Sequence, residues 1–233
     1  MNLFAWGAFA EEARLAVTEH SRFLADPIVL WRRPPKRGAS TPLVVLLHGR
    51  GADETDLIDL APLLPPHFAY ASVRAPVAVE GGGYTWFENR GPARPIARSV
   101  RTSVDAFGEW LEGPEFSAFD REHTFLLGFS AGMMMAGALL LDDPHRFAGA
   151  VLLSGALAFD APIAVTPQRL AGLPVFYGYG SLDDVIPAEL ATRTLSYLRD
   201  KSGAILTLRE YRHAHSISRG EIADIKTWLE QRA

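Results

Sequence analysis

Apolar runs and stretches of helical spacing alternate along most of this chain, and the alternation predicts its elements. Phe23–Trp31 reads as a first strand, stopped by Arg32-Arg33-Pro34-Pro35. Leu43–Gly49 (LVVLLHG) is an unbroken apolar, β-branched run, the pattern of a strand covered on both faces. Glu54–Leu64 has helical character and stops at Pro65-Pro66, and Phe68–Arg74 is a further strand. A Gly- and Pro-rich stretch then runs from Ala75 to Pro95, and loops this long in compact domains tend to be lids or binding loops. Beyond it the pattern predicts a helix at Val100–Leu111, a short strand at Thr124–Gly128 and a helix at Ala131–Leu141. Two buried strands follow at Ala148–Ser154 and Pro174–Tyr179, then a helix at Pro187–Lys201, a strand at Ala204–Tyr211 and a helix at Ser218–Arg232.

Strands and helices in this order predict an α/β fold with a mainly parallel central sheet flanked by helices on both faces. Residues 23–233 are expected to form one domain, preceded by a helical extension over residues 1–22. In an open α/β sheet the ligand site lies beyond the carboxy ends of the strands. Several polar residues that could carry chemistry fall there.

Composition narrows the classes. The 233 residues are 48% apolar and 21% charged, which is ordinary for a globular chain able to bury a substantial core. A formal net charge of −4 gives no reason to expect a polyanion, and Arg32, Arg33, Lys36 and Arg37 sit among prolines rather than along a stripe, so no nucleic-acid partner is expected. There is no cysteine, which excludes disulfides, a thiol nucleophile and thiolate metal sites, and fits a reducing, cytoplasmic location. The N-terminus has an apolar start but no basic leader region, and no apolar run reaches the length of a membrane span, so stable membrane insertion is not expected. A homodimer is left open, because no seam in the sequence decides it.

Four segments carry candidate chemistry. Gly128-Phe129-Ser130-Ala131-Gly132 lies between a strand and a helix, where a tight turn projects the serine hydroxyl alone over the sheet. The pattern arises easily by chance; its position between strand and helix gives it weight. The second segment, His48-Gly49-Arg50-Gly51, directly follows a strand. Acyl transfer needs two N–H donors aimed at a developing oxyanion, and the amides of Arg50 and Ala131 are the candidates. A dinucleotide loop fits poorly there, since the third fingerprint position falls on Glu54 and would set a carboxylate beside a pyrophosphate. His48, at the strand–loop junction, is expected to orient the loop rather than act as a base.

The third segment, Gly180-Ser181-Leu182-Asp183-Asp184-Val185-Ile186-Pro187, offers a carboxylate to orient a histidine, and spacing does not choose between Asp183 and Asp184. One of them could instead cap the following helix. The fourth, His213-Ala214-His215, supplies the histidine, and Ser130, Asp183, His215 follow the chain order Ser, Asp, His expected where a serine sits on such a strand-to-helix turn. Two histidines at this spacing without further ligands make a poor metal site, so no metal is expected.

Together these segments resemble the carboxylesterase/phospholipase family of small α/β-hydrolases, which includes bacterial carboxylesterases and acyl-protein thioesterases. The resemblance runs from about residue 24 to residue 232 and rests on Leu46–Leu57 (LLHGRGADETDL), Gly128–Gly137 (GFSAGMMMAG), Ser154-Gly155, Gly180–Pro187 (GSLDDVIP) and His215–Ser218 (HSIS). It implies an α/β-hydrolase fold, Asp183 and His215 as partners of the nucleophile Ser130, the Arg50 amide in the oxyanion hole, and no cofactor. The chain departs from the family pattern at Ala131 (often Gln), Ala214 (usually Gly), Tyr179 (often His) and the loop Gly81–Gly91, which argues against a protein-depalmitoylating role.

The sequence therefore predicts a serine hydrolase acting on small-molecule carboxylic esters of short to medium acyl chain. Thioesterase and lysophospholipase activities of the same family, and a non-catalytic binding protein on the same fold, are the alternatives. Trp86, Phe87, Met133 and Leu182 are the expected pocket residues, although Met133, Met134 and Met135 are read mainly as core, since successive helical residues face different sides. The Arg50 charge at the mouth would favour substrates carrying a carboxylate or phosphate.

Overall fold

The computed structural model of the chain describes residues 27–35, 41–91, 93–117 and 119–232. The expected helical extension over residues 1–22, and residues 23–26 of the predicted first strand, lie outside the described residues.

Nine strands are described: β1 (Val29–Arg32), β2 (Leu43–Leu47), β3 (Ala69–Val73), β4 (Val77–Ala78), β5 (Tyr84–Thr85), β6 (Thr124–Phe129), β7 (Gly149–Leu153), β8 (Pro174–Gly180) and β9 (Ile205–Tyr211). Five α-helices accompany them: α1 (Glu54–Ile58), α2 (Ala97–Trp110), α3 (Ala131–Asp142), α4 (Ala188–Asp200) and α5 (Arg219–Glu230). Seven strands form one sheet in the order β1-β3-β2-β6-β7-β8-β9. Only β1 is antiparallel to its neighbour; the rest pair in parallel.

The sheet is covered on both faces, which explains the unbroken apolar strands. Alternate residues of β2 divide between two cores. Leu43, Val45 and Leu47 pack with α2, α3 and α4, while Val44 and Leu46 pack with Leu57 of α1 and with Ile225, Trp228 and Leu229 of α5. Residues Gly132 to Leu141 of α3 are all buried, so this helix is apolar around its whole circumference rather than along one stripe.

The order of the strands also locates the site. From β2 the chain crosses outward to β3, whereas β6 lies on the other side of β2 and leads on to β7. The sheet therefore switches direction between β2 and β6, where a crevice opens beyond the carboxy ends of the strands. Register sets Leu47 opposite Gly128, which brings the loop after β2 beside the turn after β6.

One predicted helix is interrupted. The expected Glu54–Leu64 helix is α1 followed by a separate 3-10 turn at Ala61–Leu63. Pro62 accounts for the break: it has no N–H to continue the ladder, and its ring would strike the carbonyl four residues back. The long loop is also more ordered than its composition suggests, with β4 and β5 paired antiparallel inside it.

A part-buried ion pair pins the base of that loop. The Arg74 guanidinium, at the end of β3, donates two hydrogen bonds of 2.5 Å to the Glu54 carboxylate and lies 4.7 Å from the Tyr84 ring centroid. The Glu54 side chain is only 7% exposed, and the Arg74 hydrogen bonds hold its carboxyl below the usual glutamate range. Its stabilisation is therefore complete above the unfolded carboxyl's titration and is lost as pH falls through the lower, folded value. Glu54→Gln should lower stability by about 2 kcal/mol at neutral pH in urea unfolding, and the gap to the parent should close in acid.

Candidate active site

The turn after β6 carries a serine in a backbone conformation that L-residues rarely adopt. Ser130 has φ 56° and ψ −114°, and α3 begins at the next residue. Its N–H donates to Leu153 O at 2.9 Å, tying the turn to the end of β7. The strain is sustained by close approach on both sides. A Cβ on Gly128 would collide with the backbone of Gly132, and one on Gly132 would collide with the carbonyl oxygens of Leu47 and His48. Only glycine lets α3 start this close to β2 and β6, which is the physical content of the Gly-x-Ser-x-Gly spacing.

The loops after β8 and β9 bring two further groups to this hydroxyl. The Ser130 hydroxyl lies 2.9 Å from His215 Nε2, and His215 Nδ1 lies 2.8 Å from Asp183 Oδ2. An ionised carboxylate only accepts, so Nδ1 carries the hydrogen and Nε2 is left to accept from the serine. Asp183 is itself held: its Oδ1 accepts from the backbone N–H groups of Val185 (3.0 Å) and Ile186 (3.2 Å). The Asp183 side chain is 8% exposed, whereas Asp184 points to solvent and makes no contact with His215 among the described residues. The ring of Phe129 packs 4.9 Å from the imidazole centroid.

On the other side of Ser130 stands the loop after β2. The Ala131 N–H belongs to the first turn of α3, where no carbonyl four residues back is available to it, and no backbone carbonyl among the described residues accepts from the Arg50 N–H. Both residues line the same pocket as Ser130 and His215. Such donors can stabilise negative charge developing on an oxygen beside the serine.

His48 fixes the path of this loop. Its Nδ1 donates to Gly49 O at 2.7 Å and its Nε2 accepts from the Ala75 N–H at 3.1 Å, the two bonds of a neutral ring. Burial lowers its pKa, in keeping with that neutral state.

The pocket has a volume of about 330 Å³. Its apolar wall comes from Phe87, Met134, Ala156, Val185 and Ile186, and its polar lining beyond Ser130 and His215 is Arg50 and Asn89. The 75–95 loop thus forms a pocket wall through Phe87, Asn89, Gly91 and Ala93. A larger, shallower depression of about 550 Å³ lies at the opposite end of the sheet, around Gln168, Leu173 and Pro174, and contains no nucleophile paired with a base.

Of the four expected pocket residues, Phe87 is on the wall and the other three are not. Trp86 is fully buried and donates from Nε1 to His48 O at 2.8 Å, so it supports the loop from beneath. Met133 is also fully buried, its sulfur packed against Gly155, and Met134, one helical step further round, takes the wall position. Leu182 is 57% exposed outside the pocket, and Val185 and Ile186 from the same loop line it instead. No group of three or more potential metal ligands occurs among the described residues. His213, weighed in sequence as a possible metal ligand beside His215, lies against the buried Glu221 carboxylate.

Comparison with known proteins places this geometry. Residues 34–232 match the phospholipase/carboxylesterase family. The MhqD protein of Bacillus subtilis is 27% identical over 197 residues, covering 84% of this chain and 96% of that protein. Acyl-protein thioesterase 1 of Cryptococcus neoformans is 23% identical over 219 residues, covering 82% of this chain and 92% of that protein. The crystal structure of a Bacillus cereus carboxylesterase superposes with a TM-score of 0.78 at 24% identity, covering 92% of this chain and all of that one, and shows the same fold. The match over residues 34–232 and the shared architecture establish that this chain belongs to the phospholipase/carboxylesterase family of α/β-hydrolases.

Proposed function

We propose that this protein is a serine carboxylesterase that cleaves small carboxylic esters of short to medium acyl chain through an acyl-enzyme on Ser130. The observation that carries this reading is the unbroken hydrogen-bond chain Asp183–His215–Ser130, at 2.8 and 2.9 Å, opening into an apolar pocket. His215 takes the serine proton as Oγ attacks the ester carbonyl, and Asp183 stabilises the resulting imidazolium. The amides of Arg50 and Ala131 receive the oxyanion. Collapse breaks the carbonyl carbon–oxygen bond of the ester, and His215 returns the proton to the departing alcohol. A water deprotonated by His215 then releases the acid and restores the serine. Nucleophile, base and electrostatic donors are all protein groups, so the scheme calls for no cofactor. A pocket near the small end of ligand-binding cavities suits a short to medium acyl group.

A thioesterase reading is the second to be kept, because the acyl-protein thioesterase relative covers most of the chain and the same three groups serve either leaving atom. A purely binding role is disfavoured by a nucleophile and base already in hydrogen-bond register. Paired oxygen-ester and thioester substrates of equal acyl length separate the first two, and the oxygen ester is expected to be the better substrate.

Hydrolysis of p-nitrophenyl esters should fall by roughly 10⁴-fold in Ser130→Ala, and Ser130→Ala/His215→Ala should be little worse than either single variant. A loss under about tenfold in Ser130→Ala would remove the acyl-enzyme from consideration.

Arg50 lines the pocket with its side chain exposed, and no carboxylate among the described residues pairs with it. It gives an ester with a second, anionic group a partner at the mouth. The parent should prefer a p-nitrophenyl ester with a terminal carboxylate on its acyl chain over the neutral ester of equal length by about three- to tenfold in kcat/KM. Arg50→Gln should erase that preference while the rate on the neutral ester changes little, and equal losses on both substrates would reject the charge role.

A further inference from the structure

Two residues before His215, the imidazole of His213 is enclosed by acceptors. Its Nδ1 lies 2.8 Å from the carbonyl oxygen of Ala214, the residue that immediately precedes the base. Its Nε2 lies 3.2 Å from Glu221 Oε2, off the axis of a hydrogen bond. Glu221 is fully buried and its Oε1 has no hydrogen-bond partner. The same carboxylate closes the capping box of α5, accepting from the Ser218 N–H at 3.3 Å, so it sits at the far end of the loop that carries His215.

A neutral imidazole has one N–H. If Nδ1 donates to Ala214 O, Nε2 can meet Glu221 favourably only when a proton lies between them, on the ring or on the carboxyl. The backbone of His213 also reaches the aspartate loop: Leu182 N–H, just before Asp183, donates to His213 O at 3.1 Å. Glycines make the fit possible, since a Cβ on Gly180 would come within 2.6 Å of His213 Nδ1 and one on Gly178 would collide with Glu221 Oε1.

We propose, on the basis of the serine-hydrolase reading above, that His213 and Glu221 form a proton-sharing pair that positions the base: it clamps Ala214, and so His215, against the Asp183 loop, and releases that clamp when the shared proton is lost. Both are positioning residues and touch no substrate. Burial raises the Glu221 carboxyl above the usual range, which favours retention of a proton. The ionisable groups facing the pair are Tyr211, whose ring stacks on His213 and whose hydroxyl donates to Asp224 at 2.7 Å, then Asp224 itself, and Arg209 3.8 Å from Asp224. From β8, Gly178 and Gly180 lie against it, and the adjoining loops carry the bonded Asp183 and His215.

The test is the kcat and kcat/KM profile of the full chain on a p-nitrophenyl ester from about pH 5 to about pH 10, for the parent, Glu221→Gln and His213→Gln. Glutamine at 221 keeps the capping box and therefore the helix start. The parent should show an alkaline descending limb. Both variants should lose about tenfold or more in kcat near neutrality, with KM within about twofold, and should lack that limb. Parent stability in urea should fall across the same pH range, because a proton held more tightly in the folded state stabilises it below that range and not above. A parent flat to about pH 10, a limb that persists in both variants, variants within about twofold of parent kcat, or a limb with no matching fall in stability overturns the proposal. Ser130→Ala run alongside separates this failure from that of the esterase reading, since only the latter predicts that its activity survives.

Discussion

The turn between β6 and α3 is the constraint on which the other features of the site depend. Ser130 occupies a left-handed backbone conformation, and such strain persists only where surrounding structure over-determines it. Here the Ser130 N–H is bonded to the end of β7, and Gly128 and Gly132 let helix, strand and the end of β2 meet at backbone contact. The hydroxyl is thereby set at the crevice where the sheet changes direction. Every other group has only to reach a point that the backbone has already fixed.

The sheet's register does much of that reaching. β2 lies beside β6 and delivers Arg50 to one side of the serine, while the loops after β8 and β9 deliver Asp183 and His215 to the other. Histidines serve opposite purposes on the two sides. His48 is buried and neutral, with one ring nitrogen donating and one accepting, and so it braces a loop without carrying charge. His215 keeps its Nε2 open to the serine because a carboxylate holds the other nitrogen. In His213 both nitrogens face acceptors, the Ala214 carbonyl and the Glu221 carboxylate.

The architecture was legible because burial on both faces writes itself into strands as continuous apolar runs. The strands at Leu43–Leu47, Thr124–Phe129 and Pro174–Gly180 fall on the runs expected at Leu43–Gly49, Thr124–Gly128 and Pro174–Tyr179. Boundaries failed where a single residue overrode the pattern, as Pro62 did in dividing one expected helix into α1 and a 3-10 turn. The segments carrying Ser130, Asp183 and His215 were legible as motifs on strand ends, but spacing could not separate Asp183 from Asp184. That choice lies in side-chain burial and in the two amides that bind Asp183 Oδ1. Pocket residues were least legible. Met133 against Met134 is a matter of helix phase, Leu182 against Val185 depends on the path of a loop, and Trp86 turned inward because its N–H has a carbonyl to satisfy. The helix-phase signal was present in the three consecutive methionines; the position of His213 over Glu221 had no sequence signature beyond proximity to His215.

Covalent labelling is the most direct test of the acyl-enzyme at the centre of this account. The full chain would be treated with a fluorophosphonate, which reacts with a serine activated by a histidine, and examined by intact mass and peptide mapping. The account predicts a single adduct on Ser130, blocked by a competing ester and absent from Ser130→Ala and His215→Ala. An unlabelled parent, or an adduct on any other residue, would contradict it.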